Sequence, residues 1–211
     1  MKFAREGLPY VAVLGVATLT ADLLGFWWLG LFLLLATLAV ASFFRDPERE
    51  VPAGGDLVVS PADGKVVAVE SGCSPESLPD EKLRRVSIFM SPADVHVNRV
   101  PRSGTVVSVK HTPGRFVAAY RDHASLENER NEVAVRDDKG RPIVFVQIAG
   151  LLARRIICRL TPGQAVRQGE RFGLIMFGSR VDVYLPESAI LRVRVGDRVR
   201  AGSGVIAEFP S

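Results

Sequence analysis

The sequence predicts a mainly β fold, a compact β-sandwich or barrel-sandwich-like domain of short strands, preceded by an N-terminal hydrophobic helical hairpin. Between residues 8 and 44 the only charged side chain is Asp22, which indicates apolar helices. From residue 56 onward, short apolar runs alternate with turns that contain Gly or Pro. The clearest strand pattern places Val181, Val183 and Leu185 on one face, with polar residues between them.

Residues 1–45 form the predicted membrane-associated hairpin. Gly25 separates two apolar blocks, residues 8–24 and 26–44. The second block has 19 residues and no charge, about the length that crosses a hydrocarbon core of roughly 30 Å. Trp27 and Trp28 lie at its start, where interfacial aromatic residues are expected. We expect a hairpin with both ends on one side; a single long span and a hairpin lying in one leaflet are the alternatives.

The charges flanking the hairpin predict its orientation. Lys2, Arg5, Arg45 and Arg49 lie beside its two ends, and the positive-inside rule places such residues in the cytoplasm. We therefore expect a protein of the cell membrane whose β-rich domain faces the cytoplasm. Residues 46–55 are predicted to be a charged linker rich in Pro and Gly, and residues 56–211 form the β-rich domain.

The charge composition of the chain limits which binding partners are expected. The chain has 211 residues and a formal net charge of +4, and the positive surplus lies in the β-rich part. Such a domain suits an anionic lipid surface. Nucleic acid is not an expected partner, because no basic run is interleaved with aromatic residues. Cys73 and Cys158 lack the spacing of a metal or redox site and are expected to be reduced thiols.

One short motif occurs twice. Residues 163–169 read GQAVRQG and residues 196–202 read GDRVRAG. Turns of this kind recur in sandwich domains that carry biotinyl or lipoyl groups on a lysine. Neither copy contains a lysine, so the repeat indicates architecture only.

The Gly178–Ser179 pair is the most informative chemical feature. It lies between two apolar runs in the segment RFGLIMFGSRVDVYLP at 171–186. The Ser179 hydroxyl could attack the preceding carbonyl, and glycine allows the backbone to bend without a Cβ clash. Ser179 would then become the first residue of a short C-terminal chain and could be converted to a pyruvoyl group.

Four further segments occur with this pair in a fixed order: SPADGK at 60–65, MSPADVHVNRVP at 90–101, HTPGRF at 111–116 and ASLENERN at 124–131. Each segment alone is weak evidence for a function. Together they resemble the short, pyruvoyl-dependent phosphatidylserine decarboxylase proenzymes. The resemblance covers the soluble domain from about Val51 onward, and the N-terminal hairpin fits it as well.

The resemblance implies self-cleavage between Gly178 and Ser179, which gives a heterodimer of residues 1–178 and 179–211. It implies a covalent pyruvoyl cofactor derived from Ser179, which forms a Schiff base with phosphatidylserine in the membrane. Loss of carbon dioxide then yields phosphatidylethanolamine. Assembly of the heterodimer into a higher oligomer is left open.

The resemblance also suggests processing residues, with one departure. Asp63 occupies the family's aspartate position. Better-known members carry H-x-x-H after the second Ser-Pro, whereas this chain has His96 and then Arg99. Arginine stays protonated and cannot act as a base. Either His96 is the base for self-cleavage and Asp63 orients it, or His96 protonates the decarboxylated product and Asp63 acts more directly. We favour the first hypothesis.

The remaining candidates concern substrate binding. Arg99 could bind the substrate carboxylate or phosphate through its fork of donors, or it could be a surface arginine. His111 and the loop that contains Asn128 and Asn131 could line the headgroup pocket or hold the loop near Ser179. No metal ligands are assigned.

Three rival functions stay open at this point. A decarboxylase of soluble amino acids would have little use for the hairpin. A membrane-tethered β-sandwich adaptor would perform no chemistry and would stay a single chain. A zinc peptidase would need a close His-x-His pair, which His96, His111 and His123 do not provide.

Overall fold

The computed structural model describes residues 2–114, 128–150, 155–176 and 179–210. The chain divides into two compact units, Met1–Glu48 and Arg49–Ser211. The prediction of a mainly β fold preceded by a helical hairpin is confirmed.

The first unit is a helical hairpin with paired ends. Helix α1 spans Leu8–Leu23 and helix α2 spans Trp27–Phe43. Gly25 makes the turn between them with φ of 81°, a left-handed conformation that favours glycine. Short strands β1 (Lys2–Phe3) and β2 (Arg45–Asp46) pair antiparallel and bring the two ends of the hairpin together.

The helices approach each other closely at Gly30. A Cβ atom added there would fall 1.8 Å from the Asp22 Oδ1 atom, so a larger residue would require the Asp22 side chain to move. Most of the large apolar side chains of both helices remain exposed, including Leu23, Trp27 and Phe32. Neither helix reaches the length and apolar content needed to cross a membrane.

The second unit is built from short antiparallel strands. Its strands are β3 (Leu57–Val59), β4 (Gly64–Cys73), β5 (Leu83–Met90), β6 (Val97–Arg99), β7 (Gly104–Thr112), β8 (Arg130–Arg136), β9 (Pro142–Ile148), β10 (Ile156–Cys158), β11 (Ala165–Val166), β12 (Arg171–Ile175), β13 (Ser179–Pro186), β14 (Ile190–Leu191), β15 (Arg198–Val199) and β16 (Val205–Glu208). In the described residues, eight of them form a curled sheet in the order β11-β7-β8-β9-β13-β5-β4-β15. Two smaller sheets have the orders β10-β12-β6 and β14-β16-β3.

The main core joins one face of the large sheet to both small sheets. Val181 and Val183 of β13 belong to the same buried cluster as Phe172 of β12 and Ile206 of β16. The Phe145 and Phe172 rings lie 4.8 Å apart between centroids. Strand β13 is thus a central strand whose inward side chains are those that the sequence alternation predicted.

Two copies of one turn close the two edges of the large sheet, where β11 and β15 lie. The Gly163 N–H donates to the Val106 carbonyl, and the Gly196 N–H donates to the Val66 carbonyl, each at 2.8 Å. These are the first glycines of the two G-x-x-V-x-x-G motifs. The sequence repeat is therefore a structural repeat.

The repeat extends into the strands that the turns contact. The Arg99 N–H donates to the Pro61 carbonyl and the Val59 N–H donates to the Pro101 carbonyl, both at 2.9 Å. This reciprocal pair relates residues 59–66 to residues 99–106. The SPADGKVV segment at 60–67 thus corresponds to VPRSGTVV at 100–107.

Candidate active site

Ser179 is the first residue of β13 and is fully buried. It pairs in register with Met90 at the end of β5. The Ser179 hydroxyl donates to the Met90 sulfur, with 3.3 Å between Oγ and Sδ. A buried hydroxyl at a strand end has one defined orientation, which suits a nucleophile better than an exposed serine would. Gly178, the other half of the predicted cleavage site, lies outside the described residues.

A chain of buried amides runs from β8 and β9 of the large sheet through β6 of a small sheet to Met90. The Asn131 Nδ2 donates to the Gln147 Oε1 at 3.4 Å, and the Gln147 Nε2 donates to the Asn98 Oδ1 at 2.9 Å. The Asn98 Nδ2 then donates to the Met90 Sδ at 3.8 Å. Each amide donates to the next, so the chain has one direction and ends on the sulfur that accepts the Ser179 proton.

Sequence reasoning missed Met90, Asn98 and Gln147 as site residues. Asn131 was predicted to line a headgroup pocket or to hold its loop, and the structure places its amide on Gln147. The available signal was polarity, because Gln147 and Asn98 are fully buried polar residues within apolar strands. Gly173 has no room for a side chain, since a Cβ there would lie 2.0 Å from the Ile157 carbonyl oxygen and 3.1 Å from the Gln147 amide nitrogen.

His96 is buried immediately before β6. Its Nδ1 lies 2.9 Å from the Asp94 carbonyl oxygen. A carbonyl can only accept, so Nδ1 carries a hydrogen, and in the neutral form of the ring the lone pair would lie at Nε2. The Ile175 N–H donates to the His96 carbonyl at 3.4 Å, which ties His96 to the strand that leads towards the cleavage site.

Asp63 uses both carboxylate oxygens. Its Oδ1 accepts from the Ala201 N–H at 2.7 Å, and its Oδ2 accepts from Arg49 Nη2 at 2.7 Å. Burial raises the pKa of the Asp63 carboxyl above its ordinary value, while the Ala201 N–H and the Arg49 guanidinium oppose that rise. In the described residues these hydrogen bonds go to Arg49 and Ala201 and not to His96. That Asp63 orients His96 stays a prediction.

Arg99 is buried, so the alternative of a surface arginine is wrong. Its Nη1 donates to the Gly169 carbonyl at 3.0 Å. A Cβ atom on Gly202 would lie 2.7 Å from the Arg99 Cδ. Arg99 thus packs between the last glycines of the two repeated turns. Its proposed contact with substrate stays a prediction.

His111 and Asn128 differ in their solvent exposure. His111 is half-exposed on β7, with its Nε2 3.6 Å from the Glu129 Oε1. Asn128 is fully buried, and its Nδ2 donates to the Ala149 carbonyl at 2.7 Å. Asn128 therefore fixes the start of the segment that carries Asn131. That His111, Asn128 and Asn131 line a headgroup pocket or hold this loop near Ser179 stays a prediction.

The cleavage motif also contains a buried ion pair on the opposite face of β13. Arg180 Nε and Nη2 donate to the Asp182 carboxylate at 2.6 and 3.0 Å, and Nη2 also donates to Ser87 Oγ at 2.8 Å. Through Ser87, the pair links the start of β13 to β5. Burial raises the pKa of the neighbouring Tyr184 to about 12, so its hydroxyl stays protonated at neutral pH.

The described residues contain no group of three or more His, Cys, Asp or Glu side chains that could hold a metal ion. His123 lies outside the described residues. The surroundings of Ser179 fit a pyruvoyl group, because the buried hydroxyl is flanked by the core side chains Met90 and Val181 and is sheltered from water.

Comparisons with known proteins all indicate one family, and the matches cover almost the whole chain. A family model described as "Phosphatidylserine decarboxylase" matches residues 36–207. A protein named "Phosphatidylserine decarboxylase proenzyme" from Syntrophus aciditrophicus (strain SB) is 46% identical over 207 residues, covering 98% of this chain and 97% of the relative. Relatives with the same name from Nitratidesulfovibrio vulgaris and Ralstonia pickettii (strain 12J) are 46% and 47% identical, covering 96% and 98% of this chain and 92% and 95% of the relatives.

Proposed function

The chain belongs to the phosphatidylserine decarboxylase family, and on this premise we propose that it converts phosphatidylserine to phosphatidylethanolamine with a pyruvoyl group made from its own Ser179. The observation that carries the proposal is the buried Ser179 hydroxyl at the start of β13, in a chain similar along nearly its full length to named proenzymes. The adaptor alternative has no support from these relatives.

Self-cleavage begins at the Ser179 hydroxyl. Its oxygen attacks the Gly178 carbonyl carbon, the peptide C–N bond breaks, and an ester forms in an N→O acyl shift. Loss of the Ser179 α-proton then expels the Gly178 carboxylate and leaves dehydroalanine at position 179. Water converts this residue to a pyruvoyl group and releases ammonia. The products are residues 1–178 and a capped chain of residues 179–211.

His96 is the proposed base for this step. The Asp94 carbonyl fixes its tautomer, so that Nε2 can accept a proton. The amide chain through Asn98 holds the Met90 sulfur against the Ser179 oxygen and so limits the rotamers of the nucleophile. Asp63 contributes a buried negative charge whose ionisation Arg49 supports.

The pyruvoyl group supplies a ketone that binds the substrate amine and withdraws the electron pair released with carbon dioxide. The surrounding residues exclude water and hold protons for this chemistry. His96, Arg99 and His111 are proposed to protonate the product or bind the headgroup.

The two chains are proposed to stay together as a heterodimer. Strand β13 of the smaller chain pairs with β5 and β9 of the larger one, and β16 pairs with β3. The Phe209 ring also lies 4.0 Å from the Arg141 guanidinium carbon. Higher oligomers stay a prediction.

Membrane association follows from the substrate and the hairpin. The hairpin exposes large apolar side chains that suit a bilayer, among them Leu23 and Trp27. The basic residues at its ends, Lys2, Arg5 and Arg45, support a cytoplasmic position for the β-rich unit.

The test is the intact mass of the purified protein together with its activity. The parent chain should give two chains that divide after residue 178, the smaller one blocked by a carbonyl that reacts with hydroxylamine. Ser179→Ala should stay one chain of about 23.0 kDa and release no carbon dioxide from phosphatidylserine. A single-chain parent protein with full activity would contradict the proposal.

A further inference from the structure

The turn between β14 and β15 has the composition of a membrane-binding surface. Residues 190–200, here called the arginine turn, contain four arginines and one acidic residue. Arg192, Arg194, Arg198 and Arg200 are all exposed. This is a dense positive patch on a domain whose substrate is proposed to be an anionic lipid.

Apolar side chains project from the same turn. Val195 is 57% exposed and Ile190 is 46% exposed. In the described residues of the β-rich unit, the other exposed large apolar side chains are Val51 and Val107. An apolar residue between arginines suits the boundary of a bilayer, where the apolar group enters the headgroup layer and guanidinium groups bind phosphates.

The tip of the arginine turn is ordered by its own hydrogen bonds. The Arg194 N–H donates to the Asp197 Oδ2 at 3.0 Å, and the Asp197 N–H donates to the Arg194 carbonyl at 3.1 Å. Gly196 completes the turn with φ of 103°. Val195 is therefore held outward, and docking requires little new ordering of the backbone.

Acidic neighbours do not neutralise the patch. Arg192 pairs with Glu208, Arg194 with Asp197, and Arg198 lies 3.6 Å from Asp94. The arginine side chains of these pairs are between 54% and 90% exposed, and ion pairs with such exposed partners contribute little. The side chain of Arg200 makes no hydrogen bond or ion pair with the residues that the structure describes, and its charge acts on the nearby Asp63 carboxyl by lowering that group's pKa.

A row of paired residues crosses the large sheet from Ser179 on β13, through β5 and β4, to the arginine turn on β15. Ser179 pairs with Met90, Lys65 pairs with Phe89, and Gly64 pairs with Val199 of β15. Neighbouring strands lie about 4.8 Å apart, so Val199 is three strands, or roughly 14 Å, from Ser179. A bilayer bound to the turn would bring headgroups towards the candidate site.

We propose that the arginine turn is a bilayer contact in its own right, binding anionic phospholipid headgroups through its arginines and inserting Val195 into the headgroup layer. This inference rests on the proposed function in taking the bilayer as the source of substrate. The hairpin anchors the chain, and the arginine turn positions the β-rich unit on the surface.

The first test places a fluorescent probe on the turn of the full chain. In a Cys73→Ser/Cys158→Ala background, Val195→Cys and Val107→Cys are labelled with an environment-sensitive dye. Val107 is a matched control, since it is an exposed valine on β7, near the other edge of the large sheet. Vesicles contain phosphatidylcholine alone or with 30% phosphatidylglycerol, with and without nitroxide-labelled lipid.

The dye at 195 should be quenched at least twofold by nitroxide lipid in the anionic vesicles, and 0.5 M NaCl should weaken the quenching. The dye at 107 should be little affected. Equal quenching at both positions, or none at 195 while co-sedimentation shows the chain bound, would overturn the proposal.

A second test leaves both cysteines in place. Arg192→Gln/Arg194→Gln should lower partitioning into the anionic vesicles about 25-fold, roughly fivefold for each arginine. Lys110→Gln/Arg136→Gln removes the same charge from β7 and β8 and should lower it less than threefold. Equal losses would mean that only net charge matters and would overturn the proposal. Activity of the parent chain on detergent-dispersed phosphatidylserine separately tests the proposed function.

Discussion

Asp63 and Ser103 occupy equivalent positions in the two halves of the structural repeat. The Asp63 Oδ1 accepts from the Ala201 N–H at 2.7 Å, and the Ser103 Oγ accepts from the Gln168 N–H at 2.9 Å. Each donor precedes the last glycine of its turn. One Asp63 oxygen therefore does what a serine does elsewhere in the fold, and the second oxygen, bound to Arg49, is the feature particular to Asp63.

This equivalence yields a variant that separates folding from chemistry. Asp63→Ser copies the Ser103 arrangement and should keep the hydrogen bond to Ala201, so the melting temperature should fall less than in Asp63→Ala, which loses both this bond and the Arg49 ion pair. Self-cleavage should slow at least 100-fold if the Asp63 charge takes part. Cell-free synthesis followed by gel analysis measures the rate. Ser103→Ala, which removes the matching bond in the other half, should cleave at the parent rate.

Arg49 should set the pH range of self-cleavage. Its side chain is largely buried against Asp63, and its charge opposes the rise in the Asp63 pKa caused by burial. Arg49→Gln should raise that pKa further, so that Asp63 ionises only at higher pH. The acid limb of the pH–rate profile should then move to higher pH, whereas Arg49→Lys should move it less. An unchanged profile in Arg49→Gln would exclude Asp63 ionisation from the rate-limiting step.

The sulfur of Met90 should matter more for processing than for stability. Met90→Leu conserves volume and should cost less than about 1.5 kcal/mol in the free energy of unfolding, but it removes the acceptor of the Ser179 proton. We expect self-cleavage to slow about tenfold, as followed by intact mass over time. Ile88→Leu is a matched control, because Ile88 is equally buried on the same strand. Equal slowing in both variants would assign the effect to packing.

The buried ion pair on β13 should be a stability element. Arg180 and Asp182 are 3% and 1% exposed in their side chains. Removing one partner of such a pair typically costs about 3–5 kcal/mol, whereas replacing both with apolar groups costs much less. In an uncleavable Ser179→Ala background, Asp182→Ala should show this loss in urea unfolding. Arg180→Met/Asp182→Leu should recover most of it, and a double variant as unstable as Asp182→Ala would contradict this account.

Local patterns allowed much of the fold to be predicted. The break at Gly25 and the alternation of Val181 and Val183 each depend on residues close together in the chain, and both appear in the structure. The contact of Gln147 with Asn98 joins residues 49 positions apart. No periodicity encodes that contact, because strand order brings the two amides together. The surface position considered for Arg99 is wrong for the same reason, since its burial depends on both distant turns.

Strand β13 lies between β9 and β5 in the interior of the sheet. Withdrawing it would split the sheet into two and open the core, so the short chain proposed to arise by self-cleavage could leave only by global unfolding. A free coenzyme can be replaced after a side reaction, but the pyruvoyl group proposed at position 179 could not be, because it would be part of the chain. On the proposed function each molecule therefore carries one reactive ketone, and chemical damage to that ketone would inactivate the molecule permanently.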